Sequence, residues 1–218
     1  PMVSSPMRAL SLTQDPPPLF IGERLNAQGS RKVKELLLAD DYEALLAIGR
    51  AQMESGAHTL DVCVAVTERA DEANQMRTLV KRLQSGVDAP LVIDSTEPDV
   101  MQAALETTPG RCILNSINME NGRKRIDAVL PLAKAHGAAV IALTIDEIGM
   151  AKTADRKIEI ARKIHDIAVN EYGLQSQDLI FDLLTFTLAT GDAEFTRSAL
   201  ETIEGIRRVK TELPGVLT

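Results

Sequence analysis

The chain has 218 residues and a formal charge of −7. That length buries one sizeable core, so a single domain is the starting expectation. The acidic balance, with no basic stripe interleaved with aromatics, argues against a phosphate-backbone partner and sets nucleic acid aside. Scarce aromatics and the lack of Trp are poor for protein-interface hot spots and neutral for a small-ligand site.

Cys63 and Cys112, the only cysteines, sit in apolar strand-like runs and read as buried thiols in a reducing compartment. His58, His136 and His165 supply no HxH or HExxH spacing, and no metal site is expected. No signal peptide is visible, and no apolar run approaches the ~20 residues that span a bilayer, so the chain reads as soluble and cytoplasmic.

Residues 1–18 contain Pro and Ser without lasting periodicity and read as an N-terminal tail or linker. Leu19–Ile21 opens the ordered part as a short strand, leading into Gly22-Glu23-Arg24-Leu25-Asn26 and a Gly29-Ser30 turn. Ser30 caps a helix that resumes after a break and ends at Gly56. Thr59–Val64 is the second strand, carrying Asp61, and a helix follows over 70–86. Leu91–Ile93 is the third strand. Thr96 to Asp99 has the form of a capping box, with Pro98 suited to the first turn of a helix over 97–106.

Cys112–Leu114 is the fourth strand and about 120 to 136 the next helix, with Pro131 inside it. Ala138–Thr144 is a fifth strand, apolar on both sides, followed by a loop at Asp146–Met150. Thr153 caps a long helix ended by Tyr172-Gly173. Leu179–Phe181 is the sixth strand, ending at Asp182, and a last helix runs from about 192 to 212. Val216-Leu217-Thr218 resembles the start of a seventh strand.

Strand and helix thus alternate six times, which predicts a parallel α/β fold. A doubly wound sheet and a (β/α)₈ TIM-type barrel both fit. Two observations favour the barrel. No GxGxxG follows the first strand. Polar residues also recur at nearly every strand tip: Glu23, Asp61, Asp94, Asn115, Asp146 and Asp182. A barrel collects such a ring at its C-terminal mouth, whereas an open sheet has one switch point.

Leu91–Asn118 is the organising stretch, because Asp94 and Asn115 end consecutive strands. Carboxylates accept hydrogen bonds and Asn offers a donor and an acceptor together, which suits the N–H/NH₂ edge of a pterin. Each of Asp94 and Asn115 can equally cap the helix that follows. Glu23 beside Arg24 can be a plain ion pair, and carboxylate-bound Mg²⁺ stays open.

GERLNAQGSRK (22–32), LDV (60–62), IDST (93–96), LNSIN (114–118), HGAAVIALTIDEIG (136–149), TADRKIEIARKI (153–164) and LIFD (179–182) together resemble the pterin-binding methyltransferase family. Within it the likeness is greatest to the folate-binding domains of cobalamin-dependent methionine synthases. Corrinoid/iron–sulfur protein methyltransferases and, more distantly, dihydropteroate synthases share the fold. The resemblance covers residues 19–218, which would form one pterin-binding TIM-type barrel domain.

The resemblance implies that Asp94, Asn115 and Asp182 hydrogen-bond the pterin edge, with Glu23 alongside and Asn26 and Asp61 as lesser candidates. It implies methyltetrahydrofolate as methyl donor and a cob(I)alamin, carried by a corrinoid domain or protein, as acceptor. Family members continue through a seventh strand carrying an Asn that contacts N5, and through an eighth unit. Thr218 stops short of both, so the barrel is expected to be truncated after about six units and this chain alone to be inactive in methyl transfer. Leu183-Leu184 stands where relatives often carry Pro-Asn. Two alternatives remain: a dihydropteroate synthase-like enzyme, and a non-catalytic folate-binding fragment of a modular protein. The final methyl acceptor and the oligomeric state, a homodimer included, are left open.

Overall fold

The computed structural model describes residues 1–187 and 195–218. It divides into two compact units. The first is Pro1–Asn115 with His136–Ala138, and the second is Ser116–Ala135 with Ala139–Thr218.

The first unit begins with a short antiparallel pair, β1 (Met2–Ser4) and β2 (Ala9–Ser11). The sequence suggested a tail here, because three-residue strands are too short to show a period. Val3 is nevertheless fully buried, and Ser4 N–H donates to the Arg111 carbonyl at 3.0 Å. Gly110 permits this packing, since a Cβ there would collide with the Ser4 carbonyl.

Next come β3 (Ile21–Asn26), α1 (Arg31–Leu38), α2 (Tyr42–Glu54), β4 (Thr59–Cys63), α3 (Glu72–Gly86), β5 (Leu91–Asp94), α4 (Pro98–Thr107) and β6 (Ile113–Ile117, whose last two residues belong to the second unit). The strand expected at Leu19–Ile21 instead starts at Ile21 and runs through GERLN. Pairing with β4, more than side-chain hydrophobicity, sets its limits. Each of β3, β4 and β5 pairs in parallel with the next strand in sequence. A doubly wound sheet reverses its strand order, and this run does not.

Local chemistry explains the helices. The Ser30 side chain accepts from Val33 N–H at 3.3 Å and Asp41 caps α2 through Ala44 N–H at 3.0 Å. Gly56, at φ +96°, takes the left-handed turn after α2. Met76, Leu79, Val80 and Leu83 of α3 are fully buried, worth about 1.5–3 kcal/mol each. The capping box at Thr96 does not set the start of α4. Glu97 is the N-cap and makes no side-chain cap bond, while Pro98 occupies the first turn.

The second unit holds α5 (Lys124–His136, whose last residue belongs to the first unit), β7 (Ala139–Leu143), β8 (Ile145–Asp146), β9 (Gly149–Met150), α6 (Ala154–Asp166), β10 (Leu179–Asp182) and α7 (Ser198–Glu212). The stretch read as a loop at 146–150 contains the tight β8–β9 pair. Thr153 caps α6, and a π turn, Ile167–Glu171, extends it. β7 and β10 are parallel neighbours. Leu217 bridges Ile180 in parallel, beginning a further strand on β10. The last helix starts at Ser198; the part expected at 192–194 lies outside the described residues.

Candidate functional site

Strand register assembles a polar cluster in the first unit. In a parallel ladder, paired residues point to the same face, and so do residues two apart on one strand. Asn26 pairs with Cys63, two residues beyond Asp61. Asp61 pairs with Val92, two residues before Asp94, and Asp94 pairs with Asn115. Asn26, Asp61, Asp94 and Asn115 therefore share one face of four adjacent strands, near their C-terminal ends.

Hydrogen bonds lock the cluster. Asn26 Nδ2 donates to Asp61 Oδ2 at 3.1 Å and to Asp94 Oδ2 at 2.9 Å. Its Oδ1 accepts from Gln28 N–H at 3.0 Å and Gly29 N–H at 3.1 Å. Those backbone donors fix which way the Asn26 amide faces, at the turn that leads into α1. Below them, Ser95 Oγ donates to Glu72 at 3.2 Å and accepts from Glu97 N–H at 3.1 Å, fixing the loop after Asp94.

Burial grades the members. Asp61 and Asn26 are buried, at 3% and 7% exposure, while Asp94 and Asn115 are half-buried and Glu23 is exposed. Glu23 lies where β3 gains one extra residue relative to β4. Burial pushes the Asp61 carboxyl up to about 7, and the nearby charge of Asp94 adds to that. Amide donation from Asn26 and Asn115 pulls the other way, and the Glu23 charge raises it a little more. Cys63 and Cys112 are buried free thiols, both pushed up to about 11, chiefly by burial.

The structure thus brings together Asn26, Asp61, Asp94 and Asn115, with the charge of Glu23 felt at Asp61. Asp182 belongs to the second unit. It ends β10, is exposed, and its Oδ1 accepts from Leu184 N–H at 2.8 Å. Asp146, counted in the sequence among the strand-tip acids, is buried in an ion pair with Arg156 and has a structural role. Sequence reasoning passed over Lys157. It is fully buried on α6, and its Nζ donates to the carbonyls of Ala151 and Leu184 at 2.9 Å each and to that of Leu183. One signal was available: Lys157 falls among Ile158, Ile160 and Ala161 on the buried stripe.

The arrangement offers hydrogen-bond acceptors on one face, backed by buried amides. Among the described residues, no group of three or more His, Cys, Asp or Glu is placed to hold a metal ion. No described helix is long and apolar enough to cross a membrane.

Comparison with known proteins bears on what this face serves. The methionine synthase of Mycobacterium tuberculosis is 43% identical over the whole chain, and that of Mycobacterium leprae 42%. The chain spans 18% of the length of each. Among solved structures, dihydropteroate synthase from Xanthomonas albilineans in complex with 7,8-dihydropteroate superposes with a TM-score of 0.63 at 17% identity. That match covers 97% of this chain and 73% of the other. The enzyme from Stenotrophomonas maltophilia with active-site-bound imidazole gives 0.64 at 20% identity, covering 98% and 75%. At such identities the likeness shows the fold, a parallel (β/α)₈ barrel of which this chain carries about six units. A family model described as pterin binding enzyme matches residues 22–217, and the chain belongs to that family.

Proposed function

We propose that this chain binds methyltetrahydrofolate through its pterin ring and presents the N5 methyl group to a cob(I)alamin carried by another domain or protein. The observation that carries the reading is the Asp94–Asn115 pair. A carboxylate and an amide stand directly opposite each other on neighbouring strands. Two acceptor oxygens beside an amide suit the flat N–H/NH₂ edge of a pterin, and a charge-assisted pair there contributes about 1.5–3 kcal/mol. Asp94 would take the ring N–H and amino group, and Asn115 a neighbouring ring position. Glu23 would lie alongside, and Asn26 and Asp61 would support the set from behind.

The chemistry asked of the protein is modest. The methyl group moves from N5 to cobalt by in-line displacement, so these residues orient the ring and leave the methyl-bearing face open. N5 becomes a better leaving group as it gains a hydrogen bond or proton. The corrinoid is the second substrate and supplies the nucleophilic metal. Identity of 42–43% with methionine synthases supports methyl transfer over pteroate synthesis.

The test is a titration with methyltetrahydrofolate, followed by addition of cob(I)alamin under reducing conditions. The reading expects saturable binding and, in a protein that carries the whole barrel, formation of methylcobalamin. No binding up to about 1 mM, an affinity below about 4 kcal/mol, would end it. Dihydropteroate formed from a pterin pyrophosphate and 4-aminobenzoate would replace it with the synthase reading.

A further inference from the structure

We propose that Asn26 is a positioning residue that sets the plane of the Asp94 carboxylate, and that the site thereby selects a ring edge bearing two adjacent N–H donors over an edge bearing one. The proposal rests on the pterin reading and deepens it.

A carboxylate on a short side chain turns readily about its last bond. Asp94 is half-buried at the end of β5, so burial alone does not hold it. Asn26 does, through the 2.9 Å bond from its Nδ2 to Asp94 Oδ2. The hold is firm because every capacity of that amide is used. Gln28 N–H at 3.0 Å and Gly29 N–H at 3.1 Å fix its oxygen, and the second Nδ2 hydrogen goes to the buried Asp61 at 3.1 Å. The amide is planar and buried, so it neither flips nor swings.

An ionised carboxylate oxygen accepts more than one hydrogen bond, so Oδ2 serves Asn26 and a ligand donor together. A single ligand donor gains little from the fixed plane, because a looser carboxylate can turn to follow it. Two donors side by side require both oxygens in one plane at one angle. A carboxylate already set in that plane loses no freedom on meeting them. The ring N–H and amino group of a pterin form such a pair. The same amide also ties the site to the turn entering α1, since whatever steadies Asp94 steadies Asn26 and the two N–H groups that it holds.

The test uses the 218-residue chain and two probes: tetrahydrofolate, and its 2-deamino analogue, which keeps the ring N–H and lacks the amino group. Calorimetric titration of the wild type should show a preference of about thirtyfold for tetrahydrofolate. Asn26→Ala should bind tetrahydrofolate about tenfold more weakly and the analogue about as before, so the preference shrinks to about threefold. A merely structural Asn26 would weaken both alike. Should that variant not fold, amide hydrogen exchange in the wild type decides. Saturating tetrahydrofolate should slow Gln28 and Gly29 about tenfold more than Val33, whose N–H is held by Ser30 instead. A folded Asn26→Ala protein that keeps the wild-type preference, or equal slowing at all three amides, overturns the proposal and leaves the pterin reading standing. A wild type that binds neither ring ends the pterin reading and this proposal with it.

Discussion

The two units hold their candidate carboxylates in opposite ways. In the first, side chains hold side chains: Asn26 bridges Asp61 and Asp94, and strand register sets the spacing. In the second, backbone holds the side chain: Asp182 accepts from Leu184 N–H at the end of its strand. The turn is tied down by Lys157 Nζ and by Thr202 Oγ1, which donates to the Leu184 carbonyl at 2.7 Å. Leu184 sits at φ +53°, where a residue with a Cβ is strained. The lesson concerns tolerance. Amide-held carboxylates should answer to pH and to single-atom changes, while a backbone-held one should answer to whatever supports its turn.

The largest expected effect breaks the comparison on the pH side. Asp61 has a folded-state value of about 7, above the ordinary carboxylate value, so between about pH 4 and 7 the folded chain holds a proton that the unfolded chain has released. Stability therefore falls as pH rises through that window. Between pH 5 and pH 8 the share due to Asp61 is about 3 kcal/mol, at 1.36 kcal/mol per unit. Urea denaturation at pH 5 and pH 8 reads it, and Asp61→Asn should flatten the slope.

Next comes the buried lysine. Lys157→Met keeps the length but leaves the carbonyls of Ala151, Leu183 and Leu184 without their donor, and should cost about 3 kcal/mol by urea denaturation. If stability is unchanged, the turn after Asp182 does not depend on that lysine. Asn26→Ala removes donors from both Asp61 and Asp94 and should cost about 2 kcal/mol at pH 8. It should cost less at pH 5, where Asp61 is neutral. An equal loss at both pH values would show that packing, not carboxylate solvation, is what Asn26 supplies. The smallest change runs the other way: Leu184→Asn should raise stability by about 1 kcal/mol, because Asn tolerates the left-handed region.

Much of the fold was legible because its signals are local. Apolar runs of four to six residues alternating with capped, 3.6-periodic stretches forecast the strand–helix alternation, and Ser30 and Thr153 cap as read. Asp94 and Asn115 were legible as a pair because each closes its apolar run, and register aligned them. Three things were not legible. The double reach of Asn26 depends on the one-residue bulge in β3, which no periodicity reveals. The importance of Asp61 comes from burial, although an acid inside the otherwise apolar run TLDVC was a signal open to use. The β1–β2 pair is held by contacts with Gly110 and Arg111, a hundred residues away in sequence.

The most direct trial of the central claim is calorimetric titration of tetrahydrofolate into the wild type and Asp94→Ala at pH 8, with melting curves to confirm that both are folded. Losing a charge-assisted acceptor pair should weaken binding by about tenfold to a hundredfold, or 1.5–3 kcal/mol. A folded Asp94→Ala protein that binds tetrahydrofolate as tightly as the wild type would mean that this polar face does not hold the pterin.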